Sequence, residues 1–312
     1  QLLQKFIIHV CHLLSTDLVS LENIILGSYL RWNQTGTTVA GTGSKTAALN
    51  GFQDPSCVEI DANDTMYICD HHNYRVQMWP KGASTGTTII DTTGADHPEA
   101  LTFDKNKYLY LTGHEVCRVA RFTPSPSFSN LTTVAGVYGS KTSALNNLNN
   151  PLGMDLDDYL NLYVAERDNK RVTKWPSGAS SGSIVVAGSS QFYGLVLSRF
   201  SSNQLYVSSE EGGAVYLWTF NASTASVTLK QVNATTSTLS SPRGLQYDIY
   251  NNLYVVDRGN KRIVMYCPNA TVGRVAVADS TLNQPYDVAF DSNLNMFVVD
   301  ADGQKVMKYN RI

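Results

Sequence analysis

Short alternating runs of apolar and polar residues dominate this chain, and they recur. Six stretches have the period of two that marks half-buried strands: "PSCVEID" from residue 55, "PEALTFD" from 98, "PLGMDLD" from 151, "FYGLVLS" from 192, "PRGLQYD" from 242 and "PYDVAFD" from 285. Each precedes a phrase of the "LYV" kind centred on Tyr67, Tyr110, Tyr163, Tyr206, Tyr254 or Phe297, at spacings of 43, 53, 43, 48 and 43 residues. A polar turn, a second alternating strand such as "YRVQMW" or "KRVTKW", a Gly- or Ser-rich loop and a short outer strand complete each unit. The pattern predicts an all-β chain, a six-bladed β-propeller of four-stranded antiparallel blades, because radial repetition buries both faces of every blade.

The last unit, 285 to 309, holds only three strands, and "GTTVAG" at 36 to 41 has no blade of its own. The N-terminal segment is therefore expected to complete the C-terminal blade as its outer strand, which joins the chain ends and removes two open edges. The expected division is an apolar extension, 1 to 26, followed by the propeller, 27 to 312. "GSYLRW" at 27 to 32 reads as a surplus strand, because "QKVMKY" already fills the third place of the last blade.

The turn after "LYV" carries D-x-x-N-x-R three times, as Asp70/Asn73/Arg75, Glu166/Asn169/Arg171 and Asp257/Asn260/Arg262. In this reading the acid ends a strand, Asn tolerates the left-handed backbone of a tight turn and Arg folds back onto the carboxylate. A constellation repeated in alternate blades is construction, whereas a catalytic one is assembled once. Trp79, Trp175, Trp218, Tyr266 and Tyr309 recur at one strand position and are expected to pack between blades. The phrases "PLGMDLDDYLNLYVAERDNKRVTKWPSGASSGSIVVAG" and "PRGLQYDIYNNLYVVDRGNKRIVMYCP" resemble the NHL-repeat family of β-propellers, over about residues 27 to 310. The units with "LYLTGHEVCRVARF" and "LYVSSEEGGAVYLW" are read as having lost the Asp, Asn and Arg of the turn. The resemblance implies a fold and no single function, since the family includes secreted enzymes, RNA-binding modules, receptor ectodomains and scaffolds.

Composition narrows the partners. Lys and Arg number 24 against 26 Asp and Glu, a net charge of −2, so neither nucleic acid nor an anionic membrane is favoured. No apolar run reaches the 18 or so residues of a membrane span. The chain opens on Gln1, and "KFIIHVCHLL" at 5 to 14, which has no small-residue cleavage site, is read as part of the mature protein. "GSKTAALN" and "GSKTSALN" are not phosphate loops, because Ser44 and Ser140 separate Gly from Lys.

Six N-glycosylation sequons stand at Asn33, Asn63, Asn130, Asn221, Asn233 and Asn269. All but Asn233 fall at connections on one end of the blades, which leaves the opposite, top face free. Among the five Cys, Cys57 and Cys69 are expected to face each other across the first two strands of blade 1 and pair. Cys117 and Cys267 lie too far apart around the ring to pair, and Cys11 is the candidate partner of Cys267. His71, His97 and His114, with His72 beside the first and the acids Asp70, Asp96, Glu99 and Glu115 close in sequence, are weak metal candidates on top-face loops of blades 1 and 2, and no metal site is expected.

These observations point to a secreted, extracellular, glycosylated and non-enzymatic interaction propeller. Its expected partner is protein, including a second copy recruited through residues 1 to 26 into an oligomer or fibril. No cofactor is expected beyond N-linked glycans. The enzyme alternative is a metal-dependent lyase of the peptidyl-hydroxyglycine amidating type, which the NHL resemblance implies and which the His candidates would serve. RNA binding is opposed by Glu210, Glu211, Asp300 and Asp302, which interrupt the basic patches at Arg167, Lys170, Arg171 and Arg258, Lys261, Arg262.

Overall fold

A computed structural model describes residues 30–93, 96–125, 128–233 and 237–312. The N-terminal extension, with Cys11 and the expected assembly segment, lies outside the described residues. Each repeat forms an antiparallel four-stranded sheet in chain order, spanning residues 57–91, 98–136, 151–187, 195–229 and 242–277 for blades 1 to 5. Blade 6 takes Pro285–Phe290, Met296–Asp300 and Lys305–Tyr309 from one end of the chain and Thr37–Gly41 from the other. Thr37–Gly41 pairs antiparallel with Lys305–Tyr309, as the spare outer strand predicts. Blade 5 gains a fifth, parallel strand, Gln231–Val232, at its outer edge.

The second strand of blades 1, 2, 3, 5 and 6 is buried at every position, because the neighbouring blades cover both of its faces. Six apolar clusters result, each formed chiefly at one blade-to-blade interface, so the core is itself a ring. Trp79, Trp175, Trp218, Tyr266 and Tyr309 are all buried in it.

The Asp that ends the first strand closes the turn below it. Asp61 accepts from the backbone N–H of Asn63 at 2.9 Å and Thr65 at 3.0 Å, and Tyr67 donates its hydroxyl to the other oxygen at 3.2 Å. The same device recurs at Asp157 with Tyr163 and at Asp248 with Tyr254. This pairing explains why the repeat holds Asp and Tyr six residues apart: each satisfies a polar group that burial would otherwise leave unpaired.

Cys57 and Cys69 are opposite one another in register, with Cα atoms 5.0 Å apart, and are bonded. Cys117 is a buried free thiol, and Cys267 is engaged in a disulfide. Of "GSYLRW" only residues 30–32 are described, and the third place of blade 6 is held by Lys305–Tyr309. Trp32 bridges to Arg311 past the end of that strand and buries its indole, whose Nε1 donates to the carbonyl of Leu294 at 2.9 Å. All six sequon asparagines are exposed. Among the described residues, no helix is long and apolar enough to cross a membrane.

Candidate active site

The three D-x-x-N-x-R turns act as staples. Arg75 Nε donates to Asp70 at 2.8 Å, while its two terminal nitrogens reach back to the carbonyls of Ala47 and Ala48 at 2.8 and 3.0 Å. Arg171 ties Glu166 to the Ser143 carbonyl, and Arg262 ties Asp257 to that of Thr238. Each guanidinium thus pins the incoming top-face loop onto its own blade. The expected role of Asn needs correction. The left-handed residue is the one after it, Tyr74, Lys170 or Lys261, at φ of 54°, 52° and 53°. Asn73, Asn169 and Asn260 instead donate their side-chain amides to the acid and to a loop carbonyl.

Rigid loops leave one variable position beside each staple. The residue directly after the acid's place is His71, His114, Arg167, Glu210, Arg258 and Ala301 in blades 1 to 6, a ring of four chemistries on one scaffold. Below it lies a second ring, the second residue of each first-strand phrase: Ser56, Glu99, Leu152, Tyr193, Arg243 and Tyr286. The whole lower ring, with His71, His114, Arg167 and Ala301 of the upper one, lines a cavity of about 350 Å³ at the mouth of the central channel, whose rim adds Lys45, Asp54, His72 and Asp302. The whole lower ring also lines a deeper chamber of about 320 Å³ in the channel itself.

The floor is a charged chain. His71 Nδ1 lies 3.1 Å from Glu99, Glu99 lies 3.8 Å from Arg243, and Arg243 donates to Glu210, which also accepts from Arg258 at 3.2 Å. The Arg243 guanidinium stacks against Tyr286 and Tyr193, 4.0 and 4.8 Å from their ring centres. Burial would lift the Glu99 carboxyl, but the hydrogen bond and charge of His71, with Arg243 behind them, hold it down at about 2. For His71 burial favours the neutral ring, and Glu99 outweighs it, so the proton is held more tightly than usual. Burial dominates at His114, where it depresses the pKa. Among the described residues, neither ring nitrogen of His114 has a hydrogen-bond partner, although both are buried.

Deeper in the channel, Glu59, Asp155 and Asp287 face one another from blades 1, 3 and 6. Burial, then the charges of Asp287 and Asp155, push Glu59 up to about 8, and burial pushes Asp287 up to about 7.

The structure brings the His candidates together selectively. His71, His72 and His97 each offer one ligand atom within 4.8 Å of the others, whereas His114 stands outside that group, its ring 6.2 Å from that of His71. Arg243, Tyr193 and Tyr286 went unnoticed in the sequence as site residues, and Glu99 stood out only as an acid close to the His candidates. Their signal was the second position of each first-strand phrase, which reads Ser, Glu, Leu, Tyr, Arg and Tyr across the six repeats.

The fold and this mouth define a class: a six-bladed β-propeller with a polar site where the blades' first strands meet the top face. No family model and no curated protein matches the chain in sequence. Solved structures do match. A gluconolactonase from Xanthomonas campestris aligns with 91% of this chain and 98% of its own at 12% identity and a TM-score of 0.68. A virginiamycin B lyase from Staphylococcus aureus, solved with quinupristin, aligns over 86% and 83% at 13% identity and 0.58. An auxiliary nutrient binding protein from Bacteroides ovatus aligns over 91% and 78% at 12% identity and 0.68. At such identities the likeness is one of fold. It nonetheless corrects the expectation that this chain is no enzyme: a gluconolactonase and a lyase share its architecture almost end to end, and the repeats that built the scaffold also carry a polar cavity. The NHL resemblance stands at the level of blade architecture.

Proposed function

We propose that this protein is a secreted enzyme that opens a small polar lactone in the cavity formed by the two rings. The observation that carries the reading is His114, whose two ring nitrogens are buried in the wall of that cavity and, among the described residues, unpartnered. Native proteins rarely leave such a group unsatisfied, and a site for a reacting molecule accounts for it. In the proposed step His114 accepts a proton from water as the new C–O bond forms. Charge on the carbonyl oxygen is met by the cationic side of the mouth, Arg167 and Arg243. Collapse breaks the ring C–O bond, and His114 returns the proton to the departing oxygen, which leaves a hydroxy acid. The two Tyr rings beside Arg243 supply flat apolar walls suited to a sugar-sized ring. The gluconolactonase that shares the fold supports this substrate class.

The test is alkali uptake in a pH-stat with D-glucono-1,5-lactone and a panel of γ- and δ-lactones. The expected result is opening above the spontaneous rate, reduced by at least ~100-fold in His114→Asn, the usual share of a general base. Spontaneous rates across the whole panel, or an unimpaired His114→Asn, would overturn the reading. Secretion is supported by the Cys57–Cys69 disulfide and the six exposed sequons. Expression through a eukaryotic secretory pathway should give a protein whose mass falls on endoglycosidase treatment. A mass that does not change would remove the glycoprotein part.

A further inference from the structure

We infer that His71, His72 and His97 form a binding site for a divalent metal ion of the zinc class at the rim of the cavity, between blades 1 and 2. Three features of the cluster converge on this. One ring nitrogen from each lies within 4.8 Å of the others, where imidazoles bound to a tetrahedral ion stand about 3.3 Å apart. Side-chain rotation of at most about 1.5 Å closes that difference.

The second feature is the outer shell. His71 Nδ1 contacts Glu99 at 3.1 Å and the Pro98 carbonyl at 3.2 Å, His72 Nδ1 contacts Asp54 at 2.8 Å, and His97 Nδ1 contacts the His71 carbonyl at 3.1 Å. Each imidazole is therefore fixed through Nδ1 by a carboxylate or carbonyl, the arrangement that orients metal-bound His and leaves Nε2 for the ion. Such partners recur at metal sites because they set the tautomer and raise the basicity of the ligating nitrogen.

The third feature is access and complement. The His71 and His97 side chains are 15% and 9% exposed, while His72, at 45%, opens the cluster to solvent and gives the ion an entry path. Glu115 Oε2 stands 3.6 Å from His97 Nε2, so a carboxylate is at hand to help neutralise the charge. Three imidazoles with no thiolate suit zinc, copper, nickel or cobalt over magnesium or calcium, which prefer oxygen ligands. Three protein ligands leave a fourth position for water or a ligand in the cavity, whose wall includes His71 and His72.

The test uses untagged full-length protein stripped with a chelator and dialysed into metal-free buffer. Zinc is titrated against a colorimetric chelator, and cobalt is added separately and followed by visible absorption. One equivalent of zinc is expected, with cobalt bands of a low-coordinate nitrogen site. His72→Ala and His97→Ala should each weaken binding by at least ~10-fold, the low end for lost metal-site partners, while His114→Asn leaves it unchanged. His72 is exposed, so its replacement spares the fold, and far-UV circular dichroism confirms this for both variants. A cobalt spectrum of the aqueous ion, or zinc binding equal in wild type and the double variant, would overturn the site. Occupancy is read from the metal itself, so the inference stands or falls apart from the lactonase reading.

Discussion

Blades 3 and 2 solve one problem in two ways. In blade 3 the acid at the strand end, Glu166, meets Arg171 across the turn at 2.7 Å. In blade 2 that position is Gly113, but the Arg expected to be lost is kept: Arg118 pairs instead with Asp96, which comes from the preceding loop and lies 3.0 Å away. The carboxylate occupies the space the missing side chain left: a Cβ on Gly113 would stand 2.0 Å from Asp96 Oδ1. A buried Arg needs a carboxylate, and the chain can supply it from either side. Blade 4 has Ser209 in the acid's place and dispenses with the staple, and there Glu210, from the variable position, reaches Arg243 and Arg258 of the neighbouring blade and joins the site. Departures from the repeat are where scaffold becomes function.

The largest predicted effect comes from breaking the intact staple. Arg171→Ala leaves Glu166, fully buried, without its charge partner and should cost roughly 3–5 kcal/mol in urea unfolding. Restoring the repeat's acid in blade 2 should also harm: Gly113→Asp overfills the site held by Asp96, at roughly 1–3 kcal/mol. Adding Asp96→Gly to that variant should recover most of the loss, and no recovery would mean the two acids are not equivalent.

Acid should loosen the latch between the chain ends. Asp279 accepts from Gly36 N–H at 2.9 Å and from the Tyr309 hydroxyl at 3.2 Å, which links the N-terminal strand to the last blade. Burial raises its pKa, and its hydrogen bonds, those of Thr281 included, outweigh burial and hold it below 3.8. A depressed carboxylate stabilises the fold above its unfolded pKa and loses that contribution as pH falls through the folded value. Wild type should therefore lose roughly 1 kcal/mol more than Asp279→Asn between pH 5 and pH 2, one hydrogen bond's worth. The smallest effect is reserved for His114→Asn, whose stability should stay within ~0.5 kcal/mol of wild type because the imidazole makes no bond to lose.

The blade count, the ring closure, the disulfide and the scaffold role of the repeated turn were all legible in the sequence, because each follows from a local pattern of period two or from a repeat. The site was only half legible. His71, His97 and His114 were visible as residue types, and their loop placement followed from the repeat. Arg243 was hidden, and Glu99 showed only as an acid near the His candidates, since one acid in "PEALTFD" and one Arg in "PRGLQYD" form no pair until the ring sets them 3.8 Å apart. Asp96 as the substitute acid was equally invisible, because it lies before the strand it serves, out of register with every other blade.

The central claim is that invariant positions of the repeat carry stability while the variable positions beside them carry chemistry. The most direct test measures lactone opening and the unfolding midpoint together for His114→Asn and Arg171→Ala, below the unfolding range of both. The account predicts opposite outcomes: His114→Asn loses at least ~100-fold in rate at an unchanged midpoint, and Arg171→Ala loses stability while its rate stays within about threefold of wild type. Full activity in His114→Asn, or a shared loss of both properties in the two variants, would contradict it.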